Sequence, residues 1–319
     1  LTACGTDSYK KDATSQKASS ESNTDADKVY NIGICQLMQH EALDAATQGF
    51  QDKLTELLGK DKVKFSVQNA SGESANCATI CNDFVSNKMD LIMANATASL
   101  QSASAATGDI PIVGTSITDY ATALNVKDWS GSSGSNITGT ADLAPIDKQE
   151  DMIVELFPKA KKVGILYCSA EPNSSFQAQQ MEKYLKEDGI DYKEYTAADS
   201  NEIQSVTTTA ASECDVIYVP TDNTMASSVE TLKNVLIPKK VPMVAGEQGI
   251  CEAGVATLSI SYYSLGEKTA EMAYEILANG KNPGDMEIEY ADSTTKMVNK
   301  ENADKLGITI PKEYEAISK

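Results

Sequence analysis

The sequence contains few of the residues that catalytic sites usually require. It has a single histidine, His40, and a single tryptophan, Trp129, and aromatic residues make up only 6% of the 319 residues. A lone histidine would have to meet a serine and an acid from distant parts of the chain to form a triad. No GxSxG elbow, Walker loop or GxGxxG phosphate loop is present. The sequence therefore argues against an enzyme, because no catalytic constellation is assembled.

Positive charge and long apolar runs are also scarce. The formal net charge is -19, whereas a nucleic-acid partner calls for a basic stripe. No run of about 18 apolar residues exists, so no segment of the sequence is predicted to span a bilayer. A zinc-type site needs several histidine or cysteine ligands, and only one histidine is available. We expect no nucleic-acid partner, no metal and no cofactor.

The first residues indicate a lipid anchor. The tetrapeptide Leu1-Thr2-Ala3-Cys4 resembles the lipobox of bacterial lipoproteins, which implies that Cys4 carries lipid and that residues 1–3 belong to a removed signal. Residues 5–28 are polar and rich in Ser and Thr, as a solvated linker should be. A chance tetrapeptide is the alternative. The expected location is extracytoplasmic, with the chain lipid-anchored to the outer face of the cytoplasmic membrane.

The remaining cysteines are better explained by packing than by metal binding. In the segment NCATICNDFV, Cys77 and Cys81 recur with Ile80, Phe84 and Val85 at the spacing of one helix face. That face is apolar, so both thiols are predicted to lie in a core. Whether the other cysteines are free or form disulfides stays open, because a chain of this length does not need a disulfide framework.

Strand and helix patterns alternate along the chain from Val29 onward. Four apolar strands, in VYNIGICQLM, VKFSVQNA, DLIMANA and IPIVGTS, are each followed by a helical or polar segment. The same plan returns in KKVGILYCSA, IDYKEYTA, CDVIYVP and VPMVAGEQG, which indicates an internal duplication. The predicted fold class is therefore α/β, with two doubly wound parallel-sheet lobes.

Polar loops follow the apolar strands of both halves. In such sheets ligands bind beyond the carboxyl ends of the strands, so a cleft between the halves is the predicted site. Asp222 is the preferred partner for a ligand ammonium, with Glu171 or Glu247 as substitutes. Hydroxyls and helix N-termini would hold a carboxylate, although a plain N-cap is the alternative for each. The candidate ligand-binding residues are Gln39, His40, Asn95, Thr97, Ala98, Ser116, Glu171, Asn173, Ser174, Ser175, Asp222, Asn223 and Glu247.

The loops also carry a family resemblance. The segments QHEALDAATQGF, DLIMANATAS, SNITGTAD, AKKVGILYCSAEPNSS, VIYVPTDNTMASS and YYSLGEKTAEMA resemble the ABC-transporter substrate-binding lipoproteins associated with aromatic amino acids. That family is similar to type I periplasmic binding proteins, whose two lobes are joined by a hinge of three crossing strands. The resemblance implies a monomer that captures an amino acid, such as tryptophan or tyrosine, and passes it to a membrane permease.

The resemblance also implies where the lobes divide. The expected crossings lie near Thr140–Asp142, Ile260–Ser261 and Met286–Glu287. The expected organisation is a lipoprotein N-terminus and linker at 1–28, an N-terminal lobe at 29–141 plus 261–286, and a C-terminal lobe at 142–260 plus 287–319.

Two positions depart from the family pattern. Glu41 stands where a proline is expected, and Ser261 stands where an acid is expected before Tyr262 and Tyr263. The second change leaves more of the ammonium-binding role to Asp222. Three other functions stay open: an exported hydrolase using Asp222 or Glu171, a sensory or adhesion lipoprotein, and a receptor for a nucleoside or an aliphatic amino acid.

Overall fold

The structure, a computed structural model, describes residues 28–318 and contains two β-sheets, each flanked by helices. Cys4 and most of the expected linker lie outside the described residues. Within residues 28–318, no helix combines the length and the apolar character that crossing a membrane requires.

The first sheet has six strands, all paired in parallel, in the order β11-β5-β4-β3-β1-β2. Its strands are β1 (Tyr30–Gln36), β2 (Val63–Asn69), β3 (Leu91–Asn95), β4 (Ile112–Ile117), β5 (Ile137–Ala141) and β11 (Glu289–Tyr290). The helices packed around it are α1 (Glu41–Leu58), α2 (Ser74–Ser86), α3 (Thr97–Ala106), α4 (Tyr120–Leu124) and α10 (Tyr262–Leu277). The central strands β3 and β4 are buried throughout, as expected for a parallel sheet covered on both faces.

The second sheet has seven strands in the order β13-β12-β10-β9-β8-β6-β7, and only the β10–β12 pair is antiparallel. Its strands are β6 (Lys162–Cys168), β7 (Asp191–Ala197), β8 (Val216–Val219), β9 (Met243–Ala245), β10 (Ala256–Ser259), β12 (Thr295–Val298) and β13 (Glu315–Ala316). The helices of this part are α5 (Ile146–Leu156), α6 (Pro172–Glu187), α7 (Ile203–Glu213), α8 (Asn223–Ala226), α9 (Val229–Leu236) and α11 (Lys300–Leu306). The two parallel units predicted from the repeated pattern are thus confirmed.

The chain passes between the two sheets three times, and one crossing differs from the expectation. β5 of the first sheet leads into α5, and β10 of the second sheet leads into α10, close to the expected positions. The third crossing was expected at Met286–Glu287, yet Glu289 and Tyr290 still pair with β5 of the first sheet. The first sheet therefore includes two residues that follow the expected crossing. A two-residue parallel pairing is too short to leave a periodic pattern in the sequence.

The predicted core position of Cys77 and Cys81 is confirmed. Both are completely buried, together with Phe84, between α2 and the first sheet. The Sγ atoms of Cys35 and Cys77 each lie 3.6 Å from the Ser99 hydroxyl. The six cysteines in the described part of the chain are all free thiols.

Helices α1 and α10 pack with almost no space between their backbones. A Cβ atom at Gly266 would lie 2.1 Å from the Ala46 carbonyl oxygen, and one at Gly49 would lie 2.1 Å from the Tyr263 carbonyl oxygen. Glycine is thus required on both sides of this contact, because any larger residue would force the helices apart. The contact matters for the site because α1 begins next to His40 and α10 begins at Tyr262.

Candidate ligand-binding pocket

A small pocket lies between the two lobes, at the carboxyl ends of the strands. The space free of protein atoms within it and at its mouth amounts to about 300 Å³, part of which is open to solvent. It has three carboxylates in its lining and no lysine, and the chain contains no arginine. The lining residues are His40, Ala42, Leu43, Ser116, Thr118, Asp142, Asn173, Thr221, Asp222, Asn223, Ala226, Glu247 and Tyr262.

Three buried polar atoms of residues that line this pocket have no hydrogen-bond partner among the described residues. They are the Nδ1 atom of His40, the hydroxyl of Ser116 and the Oδ1 atom of Asp142. Leaving such an atom unpaired costs about 1–3 kcal/mol, so unpaired groups converging on one cavity point to a ligand that pairs with them. The set includes a hydroxyl that can donate and a carboxylate oxygen that accepts.

Asp142 follows β5 and is the acid most available to a ligand. Its side chain is buried, and its Oδ2 atom accepts a 2.7 Å hydrogen bond from the Tyr262 hydroxyl. Burial raises the pKa of Asp142, and the hydrogen bond from Tyr262 acts in the opposite direction. A cationic ligand group would favour the ionised carboxylate and relieve this cost.

Ser116 is turned into the pocket by a distortion of β4. Its φ angle is +57°, in the left-handed region that serine rarely adopts. The pairing of β4 with β5 shifts register between Gly114 and Ile117, as at a β-bulge. Strain of this kind is found at binding sites, and here it aims a hydroxyl at the cavity beside Asp142.

Asp222 lines the pocket, but most of its hydrogen-bonding capacity is used inside its own lobe. Its Oδ1 atom caps α8 by accepting from the Met225 N–H at 2.8 Å. Its Oδ2 atom accepts from the Cys168 N–H at 2.7 Å and from the Ser174 hydroxyl at 2.8 Å. Burial and the nearby Glu171 carboxylate raise the pKa of Asp222, while these donors lower it. Asp222 is therefore held mainly by groups of its own lobe, whereas the Oδ1 atom of Asp142 has no partner among the described residues.

Glu171 and Glu247 are also engaged by backbone N–H groups. Glu171 accepts from the backbone and side chains of Asn223 and Thr224, at 2.7–3.2 Å, and does not line the pocket. Glu247 lines the pocket and accepts from the N–H groups of Gly249 and Ile250 at 2.8 and 2.9 Å. Burial raises the pKa of Glu247 to about 7, and the nearby carboxylates of Glu41 and Asp142 add to the shift.

Hydrogen bonds connect the two lobes across the pocket. His40 Nε2 lies 3.0 Å from the Asn223 side-chain oxygen, and Gln248 Nε2 donates to Glu41 at 3.0 Å. Glu41 stands where the family pattern predicts proline. Its carboxylate thus accepts a hydrogen bond from the opposite lobe. These contacts place the lobes in a closed arrangement.

Seven of the predicted site residues do not line the pocket. Gln39 is exposed, and Asn95 is buried, donating to the Leu43 carbonyl and the Thr47 hydroxyl. Ala98 and Glu171 border a larger outer groove between the lobes, where Asn173 is also found. Thr97, Ser174 and Ser175 begin or support helices and do not line the pocket. The pocket brings together six of the thirteen predicted residues: His40, Ser116, Asn173, Asp222, Asn223 and Glu247.

Four polar lining residues were not predicted as ligand contacts: Thr118, Asp142, Thr221 and Tyr262. Asp142 was expected only as part of a hinge, and Tyr262 only as part of a family motif. The sequence feature that could have identified Asp142 is its position directly after a strand and several residues before the next helix. In residues 28–318, no group of histidine, cysteine and acidic side chains is arranged to hold a metal ion.

The family of the chain follows from its relatives. Residues 31–318 match the family model described as ABC transporter substrate binding protein. The chain belongs to this family. It is 37% identical, over 290 residues, to a tyrosine-binding protein of Clostridioides difficile strain R20291, covering 90% of this chain and 84% of the relative.

Two related structures superpose on this chain to different extents. An ABC domain from Streptococcus pneumonia in complex with L-Trp has a TM-score of 0.87 at 33% identity, covering 91% of this chain and 100% of that one. The ligand-free, open structure of a substrate-binding protein with adhesive properties from Clostridium difficile has a TM-score of 0.70 at 35% identity, covering 91% and 99%. Since the identities are similar, the better match to the ligand complex agrees with the closed arrangement. The fold is that of type I periplasmic binding proteins, as expected.

Proposed function

We propose that this substrate-binding protein captures one zwitterionic amino acid with an aromatic side chain and delivers it to a membrane permease. The observation that carries the proposal is the pairing of two unpartnered groups in one pocket, the Asp142 carboxylate oxygen and the Ser116 hydroxyl. The carboxylate would accept from the ligand's ammonium, and the hydroxyl would donate to the ligand's carboxylate. The names of two relatives, one tyrosine-binding and one bound to L-Trp, support the aromatic class.

The pocket lining contains no basic side chain, which limits the groups that can bind the ligand's carboxylate. With no lysine in the lining and no arginine in the chain, the ligand's carboxylate must be held by neutral donors such as Ser116, Thr118 and Asn173. The three lining carboxylates favour a positively charged group on the ligand. Ala42, Leu43 and Ala226 supply apolar contacts that suit a side chain without charge.

Closure of the lobes would complete the site. The hydrogen bonds of His40 with Asn223 and of Gln248 with Glu41 form only when the lobes meet, so they stabilise the closed form around a ligand. We propose that the N-terminal lobe comprises residues 29–141 and 261–290, and that the C-terminal lobe comprises most of the remaining described chain. We further propose that Cys4 carries a lipid that holds the protein on the outer face of the membrane.

Calorimetric titration tests the proposal. L-Tyrosine or L-tryptophan is expected to bind with a Kd of about 1 μM or below, without chemical change. Tyramine, which lacks the carboxylate, and 3-(4-hydroxyphenyl)propionate, which lacks the ammonium, are each expected to bind at least about 30-fold more weakly, because each leaves one buried group unpaired. Tighter binding of adenosine or isoleucine, or the appearance of a product, would contradict the proposal.

A further inference from the structure

His40, like Asp142, lines the pocket with a buried atom that has no partner in the described part of the chain. It stands directly before α1 and reaches across to the opposite lobe, where its Nε2 atom lies 3.0 Å from the Asn223 side-chain oxygen. Its Nδ1 atom is buried and has no partner among residues 28–318. Ala42 and Leu43 follow it on α1 and line the same pocket. His40 Nδ1 is therefore an unpaired polar atom close in the chain to apolar lining residues.

The hydrogen-bonding role of this nitrogen is fixed by Glu171. The Glu171 carboxylate accepts from the Asn223 side-chain N–H at 2.8 Å and from the Thr224 N–H at 2.8 Å. Because a carboxylate only accepts, the Asn223 amide must turn its oxygen toward His40. His40 must then donate from Nε2, which assigns the proton to that nitrogen. Burial lowers the pKa of His40, so its neutral imidazole exposes a lone pair at Nδ1.

We propose that His40 Nδ1 accepts a hydrogen bond from the ligand's side chain and thereby selects aromatic amino acids that carry an O–H or N–H on the ring. The inference rests on the proposed function and adds a rule for the side chain. A phenol or an indole satisfies it, whereas a phenyl ring does not. The proposed acceptor for the ligand's ammonium is the carboxylate of Asp142, to which the Tyr262 hydroxyl donates, so the His40 nitrogen is left for the side chain.

The expected selectivity follows from the cost of an unpaired acceptor. If phenylalanine occupies the pocket, Nδ1 remains buried without a partner, which costs about 1–3 kcal/mol. That range corresponds to a Kd roughly 5- to 150-fold weaker than for tyrosine. A site built to hydrogen-bond a ligand hydroxyl rejects the analogue that lacks it more strongly than an apolar pocket rejects a changed methylene.

The test is the ratio of the Kd of L-phenylalanine to the Kd of L-tyrosine, measured by calorimetry. In the wild-type protein the ratio is expected to be at least about 5, and in His40→Leu it should fall to about 1 because only tyrosine loses a partner. Gln248→Ala is the matched control, since it removes another hydrogen bond between the lobes and leaves His40 intact. In that variant both ligands should weaken together and the ratio should stay at the wild-type value.

Two outcomes would overturn the inference while leaving the proposed function intact. One is equal affinity of the wild-type protein for phenylalanine and tyrosine, which does not depend on the folding of any variant. The other is a His40→Leu variant that weakens both ligands alike, which would make His40 a contact between the lobes only. Failure of all the aromatic amino acids to bind would instead overturn the proposed function, and the inference with it.

Discussion

Replacing Asp142 by asparagine is expected to weaken amino-acid binding by about 100-fold or more while the protein stays folded. Asparagine keeps the shape of the side chain but removes the charge that pairs with the ligand's ammonium, and losing one partner of a buried charged hydrogen bond costs about 2–5 kcal/mol. Burial raises the pKa of Asp142, so the ionised form destabilises the empty protein at neutral pH. The melting temperature without ligand should therefore be unchanged or higher. Calorimetry and thermal unfolding measure the two effects.

A matched control is available in Glu150. This acid on α5 is also buried, and burial raises its pKa to about 7, but it does not line the pocket. Glu150→Gln should thus leave the Kd at the wild-type value. Tyr262→Phe removes the hydroxyl that orients Asp142 and should weaken binding about threefold to tenfold. An Asp142→Asn protein with wild-type affinity would show that another group binds the ammonium.

Replacing Gly266 by alanine is expected to reduce the free energy of unfolding by about 3 kcal/mol, the upper part of the usual range for overpacking. The added Cβ would lie 2.1 Å from the Ala46 carbonyl oxygen and 2.9 Å from the Phe50 backbone nitrogen. Both neighbours are backbone, so no side chain can rotate away, and α1 must move off α10. The melting temperature should fall by about 6–12 °C. Because α1 begins next to His40, ligand affinity should fall as well.

Gly108→Ala serves as the control for this prediction. A Cβ at Gly108 meets no atom within 4 Å, so the substitution should change the melting temperature by no more than about 1 °C. Thermal unfolding of both variants by circular dichroism gives the comparison. Equal stability of Gly266→Ala and the wild-type protein would mean that the two helices are not in the close contact described above.

The sequence could predict most of the fold because the structural signals are local and repeated. Each buried strand is a short apolar run, and the helix after it carries its apolar residues on one face, as Cys77 and Cys81 show. The same alternation of strands and helices appears in both halves of the chain, so each half supports the α/β fold predicted for the other. The pairing of Glu289 and Tyr290 with β5 was missed because it depends on tertiary contact and involves too few residues to form a pattern.

The difference in hydrogen bonding between Asp222 and Asp142 has a local cause. Both acids follow a strand, but α8 begins at the residue after Asp222, so the Met225 N–H draws its carboxylate into a cap. After Asp142 the chain continues through Leu143, Ala144 and Pro145 before α5 begins. No helix start is close enough to use that carboxylate. An acidic residue directly before a helix is therefore a poorer candidate for ligand binding than one several residues before a helix, because the helix N-terminus binds its carboxylate.

Other features of the site depend on geometry that the sequence does not encode locally. The outward turn of Ser116 results from a register shift between β4 and β5. The orientation of His40 depends on Asn223 and Glu171 from the opposite lobe. Both arise from contacts between residues far apart in the chain, so residue type and position after a strand could identify candidates but not their partners.

A crystal structure of the protein grown with L-tyrosine would show which groups bind the two charged ends of the ligand. We expect one tyrosine between the lobes, with its ammonium within about 3 Å of Asp142 Oδ1 and its carboxylate within about 3 Å of the Ser116 hydroxyl. A tyrosine bound outside this pocket, or one whose ammonium contacts neither Asp142 nor any other lining carboxylate, would contradict this expectation.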